Sequence, residues 1–147
     1  MRLRRPRRPQ QFRLADSAQQ TVGGFLLAGP FVVTEEVWDL AANMGLPQAL
    51  VIVALVFAIG YAALYKADAT RDADDEQEVA GIPVRFISLM LVTFGSVTVL
   101  ALLFGAPETF LETESAGKLA ETTFKAVSVG SVFSVVGAAT ADTIFAK

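Results

Sequence analysis

The chain contains neither cysteine nor histidine. Without cysteine it can form no disulfide bond and offers no thiolate to a metal ion. Without histidine it lacks the commonest metal ligand and the usual acid–base group near neutral pH. Acid–base chemistry would have to rest on carboxylates, and no nucleophile with an adjacent base is visible. We therefore expect no enzymatic activity, no cofactor and no metal centre.

Charge is also scarce, at 18% of the residues against 53% that are hydrophobic. The apolar residues are concentrated in four stretches with almost no charge, near residues 20–34, 46–65, 86–104 and 126–141. Crossing about 30 Å of hydrocarbon takes about 20 helical residues. The distribution predicts an all-α protein, a polytopic transmembrane four-helix bundle whose first partner is the lipid bilayer.

The predicted helices cover about residues 17–38, 46–65, 83–104 and 119–145. Pro47 and Pro83 suit the first turn of the second and third helices, where their missing N–H has no intrahelical acceptor to bond. Residues 17–147 then form a single four-span membrane domain. A basic arm, residues 1–16, precedes it, and an acidic loop, residues 66–82, joins the second and third helices.

Basic residues set the expected orientation. The arm carries Arg2, Arg4, Arg5, Arg7, Arg8 and Arg13. Basic residues close to membrane helices favour the cytoplasmic side. With both termini inside, ten of the 12 Lys and Arg residues lie on that side, and only Lys118 and Lys125 lie outside. We expect a multi-pass protein of the plasma membrane with both termini cytoplasmic, and an arm that orients the chain rather than binding nucleic acid.

The loop after the second helix reads ADATRDADDEQEVA and is strongly acidic. Its carboxylates lack the spacing of an EF-hand, so a solvated loop is expected in place of a calcium site. A solvated acidic surface of this kind suits a cytoplasm of high salt concentration, as in a halophile.

The first helix is too short if it consists only of apolar residues. The stretch from Val22 to Val33 covers about 18 Å at about 1.5 Å per residue, less than the bilayer core. We therefore expect the helix to continue through Glu35 and Glu36 to Trp38, whose ring suits the outer interface. Pro30 should kink it.

This continuation makes Glu35, Glu36 and Asp39 the candidate functional site. Glu35 has helical spacing from Gly24 and Ala28, so we expect it to face the bundle or a subunit interface, with Asp39 on the same side. Carboxylates at membrane depth usually pair or line a polar path. Further acidic residues on the same side would concentrate cations at the outer face, namely Glu108, Glu112 and Glu114.

Small residues mark the helix contacts. Gly130, Ser134 and Ala138 recur every four residues in the last helix, and Gly24 and Ala28 do so in the first. Small side chains let helix backbones approach closely in a membrane. The partner of the last helix is left open between the first helix and a second copy of the chain in a homo-oligomer.

Two functions remain open. In one, the protein is an oligomeric cation channel or an ion-binding transporter that uses the carboxylates of the first helix. In the other, it is a membrane scaffold, and the small residues and the acidic loop bind partners. A simpler interpretation of Glu35 and Glu36 is also open, in which the helix ends one turn earlier and both are hydrated.

The segment GGFLLAGPFVVTEEVW and the ending GAATADTIFAK carry a resemblance. Both stretches resemble a family of predicted integral membrane proteins of unknown function found in archaea and bacteria. The resemblance implies a helical integral membrane fold for the chain from about Thr21 onward. It implies no biochemical activity.

Overall fold

The computed structural model describes residues 12–66, 77–112 and 115–145, with only the backbone at Phe145. Most of the basic arm, most of the acidic loop, Glu114 and Lys147 lie outside these residues. The described chain is almost entirely helical, with one hairpin of two short strands.

Six α-helices follow one another along the described chain. They are α1 (Leu14–Val32), α2 (Glu35–Asn43), α3 (Leu46–Tyr61), α4 (Val84–Leu103), α5 (Ala106–Phe110) and α6 (Ala116–Phe145). A π-helical turn, Ala62–Lys66, extends α3. Strands β1 (Glu78–Val79) and β2 (Ile82–Pro83) pair as an antiparallel hairpin. Its turn places Gly81 at φ 81°, a conformation that glycine adopts without strain.

Three of the described helices are long and apolar enough to cross a membrane. They are Leu46–Lys66, Val84–Leu103 and Ala116–Ile144. Helix α1 has comparable length but is not among them, because its first two turns contain Asp16, Ser17, Gln19 and Gln20. The prediction of transmembrane helices is thus confirmed for three of the four predicted spans.

The predicted continuation of the first helix to Trp38 is wrong. Helix α1 ends at Val32, and Thr34 is the extended N-cap of a new helix. Pro30 already removes one hydrogen bond from the last turn. The Thr34 hydroxyl donates a hydrogen bond of 2.8 Å to the carbonyl oxygen of Phe31 at the end of α1. Carboxylates such as Glu35 are favourable in a first turn near the positive end of the helix dipole.

The buried ring of Trp38 stabilises this break. Its Nε1–H donates a hydrogen bond of 2.8 Å to the carbonyl oxygen of Val32, one of the acceptors left free at the end of α1. Its ring also stacks on Phe110 of α5, with 6.3 Å between centroids. The indole N–H of Trp38 therefore replaces the backbone N–H that would bond to the Val32 carbonyl in a longer helix.

Helix α6 is the centre of the molecule. It packs against α1, α2, α3 and α4. In its most apolar 18-residue window 67% is buried, against 28% for α3 and 33% for α4. The outer faces of α3 and α4 carry exposed hydrophobic side chains such as Leu50, Val51, Leu91 and Leu102. Exposed apolar faces of this extent are the lipid-facing surface of a membrane protein.

Contacts between helix ends fix the directions of the helices. Arg85, in the first turn of α4, reaches Asp16 near the start of α1 and Asp142 near the end of α6. Gly60, at the end of α3, packs against Met90. Helices α1 and α4 therefore run one way and α3 and α6 the other. We call the two ends of the bundle the Arg85 end and the Trp38 end.

Helices α1 and α6 approach closely at Gly23 and Gly137. A Cβ on either residue would overlap the carbonyl oxygen of the other. Such an approach of two backbones is possible only without side chains. It brings the polar first half of α1 against the middle of the protein.

Candidate functional site: a buried polar seam

The structure places the predicted site residues on the surface. Glu35, Glu36 and Asp39 are all exposed on α2, because Val37, Trp38 and Ala41 occupy its buried face. Glu35 does not face the bundle of its own chain, because the break after Val32 rotates the residues that follow it. Its expected position at a subunit interface stays a prediction. A role of these carboxylates in attracting cations stays a prediction.

The remaining acidic residues of the predicted outer face do not join them in a site. Glu108 and Glu112 are exposed near α5, and Glu114 lies outside the described residues. Within the parts of the chain that the structure covers, no group of three or more carboxylates could hold a metal ion.

A buried ion pair lies at the Arg85 end instead. One guanidinium nitrogen of Arg85 lies 2.6 Å from Oδ1 of Asp142, and the second lies 3.4 Å from Oδ2 of Asp16. Asp142 is wholly buried and Arg85 is 5% exposed. The guanidinium carbon also lies 5.3 Å from the centre of the Phe12 ring, within cation–π range. Asp16, Arg85 and Asp142 together link α1, α4 and α6.

A chain of hydrogen bonds lies deeper between α1 and α4. The Oγ atoms of Ser17 and Ser88 are 2.8 Å apart, and Ser88 Oγ lies 2.7 Å from Oε1 of Gln20. An amide oxygen only accepts, so the single hydroxyl hydrogen of Ser88 goes to Gln20. Ser17 must then donate to Ser88. The direction of donation along these hydrogen bonds is therefore fixed, because the amide oxygen of Gln20 can only accept.

Four buried side-chain atoms have no hydrogen-bond partner among the described residues: Oε1 of Gln19, Nε2 of Gln20, Oγ1 of Thr93 and Oγ of Ser131. The last three belong to wholly buried residues. Buried polar side chains are nearly always bonded in proteins. Three orphans among the three central helices are therefore a local feature that calls for a ligand or water.

The same region contains further hydroxyls. Ser134 donates a hydrogen bond of 3.1 Å to the carbonyl oxygen of Thr93. A Cβ on Gly24 would stand 3.0 Å from Oγ of Ser134 and 3.2 Å from Oγ of Ser96, so α1 is bare where these two hydroxyls meet. We call the set of inward polar residues on α1, α4 and α6 the polar seam: Ser17, Gln20, Ser88, Thr93, Ser96, Ser131 and Ser134.

The predicted packing residues line the same interface. Ala28 and Ala138 are wholly buried. Gly24 faces Ser134, and a Cβ on Gly130 would stand 2.8 Å from a methyl group of Val97. In this structure the small residues of α6 face α1 and α4 of the same chain.

An apolar cluster occupies the Trp38 end. It comprises Ala28, Val32, Val37, Trp38, Ala41, Val97, Ala101, Ala106, Ala126 and Val127, and we call it the Trp38 cluster. It offers no side-chain hydrogen-bonding group except the indole N–H, which is bonded to Val32. Apolar packing dominates this end, next to the buried polar residues Thr122, Lys125 and Ser128 of α6.

Neither Arg85 nor Asp142 was identified from the sequence as a residue of a site. A signal was present, because Asp142 follows Ala138 at the same spacing of four that marks the packing face. A carboxylate on a buried face requires a cation, and Arg85 was the basic residue nearest the start of a neighbouring helix.

Long apolar helices with lipid-facing surfaces and a polar interior define a helical integral membrane protein. The chain belongs to the family described as "Putative integral membrane protein (DUF2391)", whose model matches residues 4–144. The resemblance to a family of integral membrane proteins of unknown function is thereby confirmed. Neither a curated protein nor a solved structure matches the chain.

Proposed function

We propose that the protein transports a small cation across the membrane along the polar seam. The observation that carries this proposal is the group of unbonded, wholly buried polar atoms of Gln20, Thr93 and Ser131. Each such group costs about 1–3 kcal/mol when left without a partner, and an apolar side chain of similar shape would avoid that cost. Polar groups kept inside a membrane protein usually mark a substrate or ion pathway.

In this proposal α1 is the fourth span. It lies along α6 and α4, and its 19 residues give a length of about 28 Å. Its polar side chains turn inward, which explains a low hydropathy in a helix that still crosses the bilayer. The protein is then a four-helix bundle of the plasma membrane. The Arg85 end faces the cytoplasm, since the basic residues of the arm precede it.

The two ends of the path have different roles. At the Arg85 end two carboxylates, Asp16 and Asp142, face the single guanidinium of Arg85, and the excess negative charge attracts cations. The Trp38 cluster closes the other end, as hydrophobic constrictions do in gated pores. Opening requires movement of α2, whose Trp38 indole is hydrogen-bonded to the carbonyl oxygen of Val32 at the end of α1. The path lies within one chain and needs no second copy.

The main competing function is that of a membrane scaffold, with no enzymatic activity in either case. Serine and threonine often stabilise helix contacts in membranes by hydrogen bonds across the interface. Ser134 fits that role, because it bonds to the backbone of α4. Thr93 and Ser131 do not fit it, since their own hydroxyls have no partner. The unbonded hydroxyls therefore favour transport over packing.

The test compares two threonines of α4 in purified protein reconstituted into lipid vesicles. Thr93→Val removes an unbonded hydroxyl of the polar seam and should reduce cation flux about tenfold, the equivalent of one lost hydrogen bond to the permeating species. Thr98→Val is the matched control, because Thr98 donates to the carbonyl oxygen of Phe94 outside the seam. It should leave flux unchanged.

A third variant addresses the exposed carboxylates. The double change Glu35→Gln and Glu36→Gln should alter flux by less than the change at Thr93, because both side chains are exposed on α2. If this double variant abolished flux while Thr93→Val did not, the path would follow the outer carboxylates, and the seam proposal would be overturned.

A further inference from the structure

We infer that the species carried by the polar seam is the proton, and that water bound to Gln20, Thr93 and Ser131 carries it. This inference rests on the proposed function and specifies its substrate. Three observations support it: the side chains that lack hydrogen-bond partners, their buried positions, and the lack of a carboxylate cluster among the described residues.

The hydrogen bonds show that the seam needs acceptors. Oε1 of Gln20 receives the hydrogen of Ser88, but both N–H groups on Nε2 point into the protein without an acceptor. The hydroxyls of Thr93 and Ser131 each lack a partner as well. Water both accepts and donates, and buried water usually makes about three hydrogen bonds to groups of this kind. Water is therefore a chemically suitable partner for each of the three side chains.

The same groups are poor ligands for a metal cation. A bare Na⁺ or K⁺ needs several oxygen atoms around it in place of its hydration shell. The amide of Gln20 directs its N–H groups, which carry partial positive charge, at the seam. Within the described residues no cluster of carboxylates stands ready to compensate the charge of a dehydrated ion. A proton needs only a continuous row of groups that both accept and donate hydrogen bonds. Water molecules between hydroxyl groups form such a row.

The transfer balances without any co-reactant. An excess proton on one water forms a bond to the oxygen of the next water, and a hydrogen of that second water passes onward. Each step breaks one O–H bond as it forms another, so charge moves while the chain keeps its covalent structure. Gln20, Thr93 and Ser131 hold the waters in line. They are positioning residues, and the water carries the charge.

The experiment uses the full chain in vesicles with a pH-sensitive dye inside and choline as the main external cation. Proton influx driven by a pH gradient should exceed that of protein-free vesicles. Gln20→Leu and Thr93→Val should each reduce it about tenfold, and Thr98→Val should not. Replacing water by D₂O should slow the influx, because deuterons transfer more slowly. If Gln20→Leu fails to fold, Ser131→Ala replaces it in the experiment, because it removes only one oxygen atom.

Parallel vesicles measure uptake of Na⁺ and K⁺, which should equal that of protein-free vesicles. If Na⁺ or K⁺ flux depended on Thr93 and no proton flux appeared, the proton inference would be overturned while transport along the seam stood. If neither protons nor metal cations moved, both proposals would fail. Proton flux that persisted unchanged in all three seam variants would also overturn the inference, because it would pass elsewhere.

Discussion

At the scale of single residues, the buried pair of Arg85 and Asp142 carries a high electrostatic cost. Removing two charges from water is expensive, and their mutual attraction offsets the cost only when the geometry is good. The 2.6 Å contact, the second carboxylate of Asp16 and the Phe12 ring supply that geometry. Loss of either residue therefore removes an ionic partner from a buried charge.

Single and double changes at this pair should differ in their effect on stability. Arg85→Met or Asp142→Leu alone removes an ionic partner from a buried charge and should reduce the free energy of unfolding by about 3–5 kcal/mol. Changing both together should cost less than either single change. Denaturation by sodium dodecyl sulfate in mixed micelles, followed by circular dichroism, measures the difference.

Glu35→Gln is the matched control for that series, because Glu35 is exposed and has no role in the pair. It should change the free energy of unfolding by less than about 0.5 kcal/mol. Single variants as stable as the wild type would contradict the view that the pair is buried.

At the scale of helices, the crossing of α1 over α6 determines how much of the polar half of α1 can be buried. Gly23 and Gly137 allow the two backbones to touch. This approach brings Gln20 and Gly24 within reach of α4 and α6, where the polar seam forms. Dispersion and hydrogen bonds, rather than hydrophobic burial, hold such a crossing together inside a membrane.

Glycine substitutions on α6 should separate this contact from simple helix propensity. Gly137→Ala forces a methyl group into the carbonyl oxygen of Gly23 and should destabilise the protein by about 1–3 kcal/mol. Gly117→Ala on the same helix meets open space and should stabilise it by about 0.5–1 kcal/mol. Thermal unfolding in detergent measures both, and equal effects of the two changes would contradict the crossing.

At the scale of the whole molecule, the helix directions place the first and last described residues at the same end. Arg85 contacts both Asp16 and Asp142, so α1 begins where α6 ends. This geometry fits the orientation expected from the basic residues, with the Arg85 end inside. The natural absence of cysteine makes the orientation simple to measure, because a single introduced thiol is labelled without background.

Two exposed positions at opposite ends serve for labelling in intact cells. An impermeant thiol reagent should modify Glu36→Cys at the Trp38 end from outside. It should modify Ala15→Cys at the Arg85 end only after the membrane is opened. Labelling of both positions from the same side would contradict a bundle in which α1 crosses the membrane.

Local sequence patterns predicted the helices better than their junctions. The apolar runs alone located α3, α4 and α6, because crossing hydrocarbon imposes a minimum length on an apolar helix. The break after Val32 was missed, because the length argument required a longer helix. It did not include the bond from Trp38 to Val32, which joins residues six apart through a turn. The outward position of Glu35 follows from that break.

The sequence by itself determined that this protein is a helical membrane protein, because composition and run length decide whether a chain can remain in water. It also identified small residues at the helix contacts, since spacing along a helix defines a face. Only the tertiary structure decided that the polar residues of α1, α4 and α6 meet inside the bundle. Their meeting depends on helix direction, rotation and the approach at Gly23, none of which is encoded in the period of a single helix.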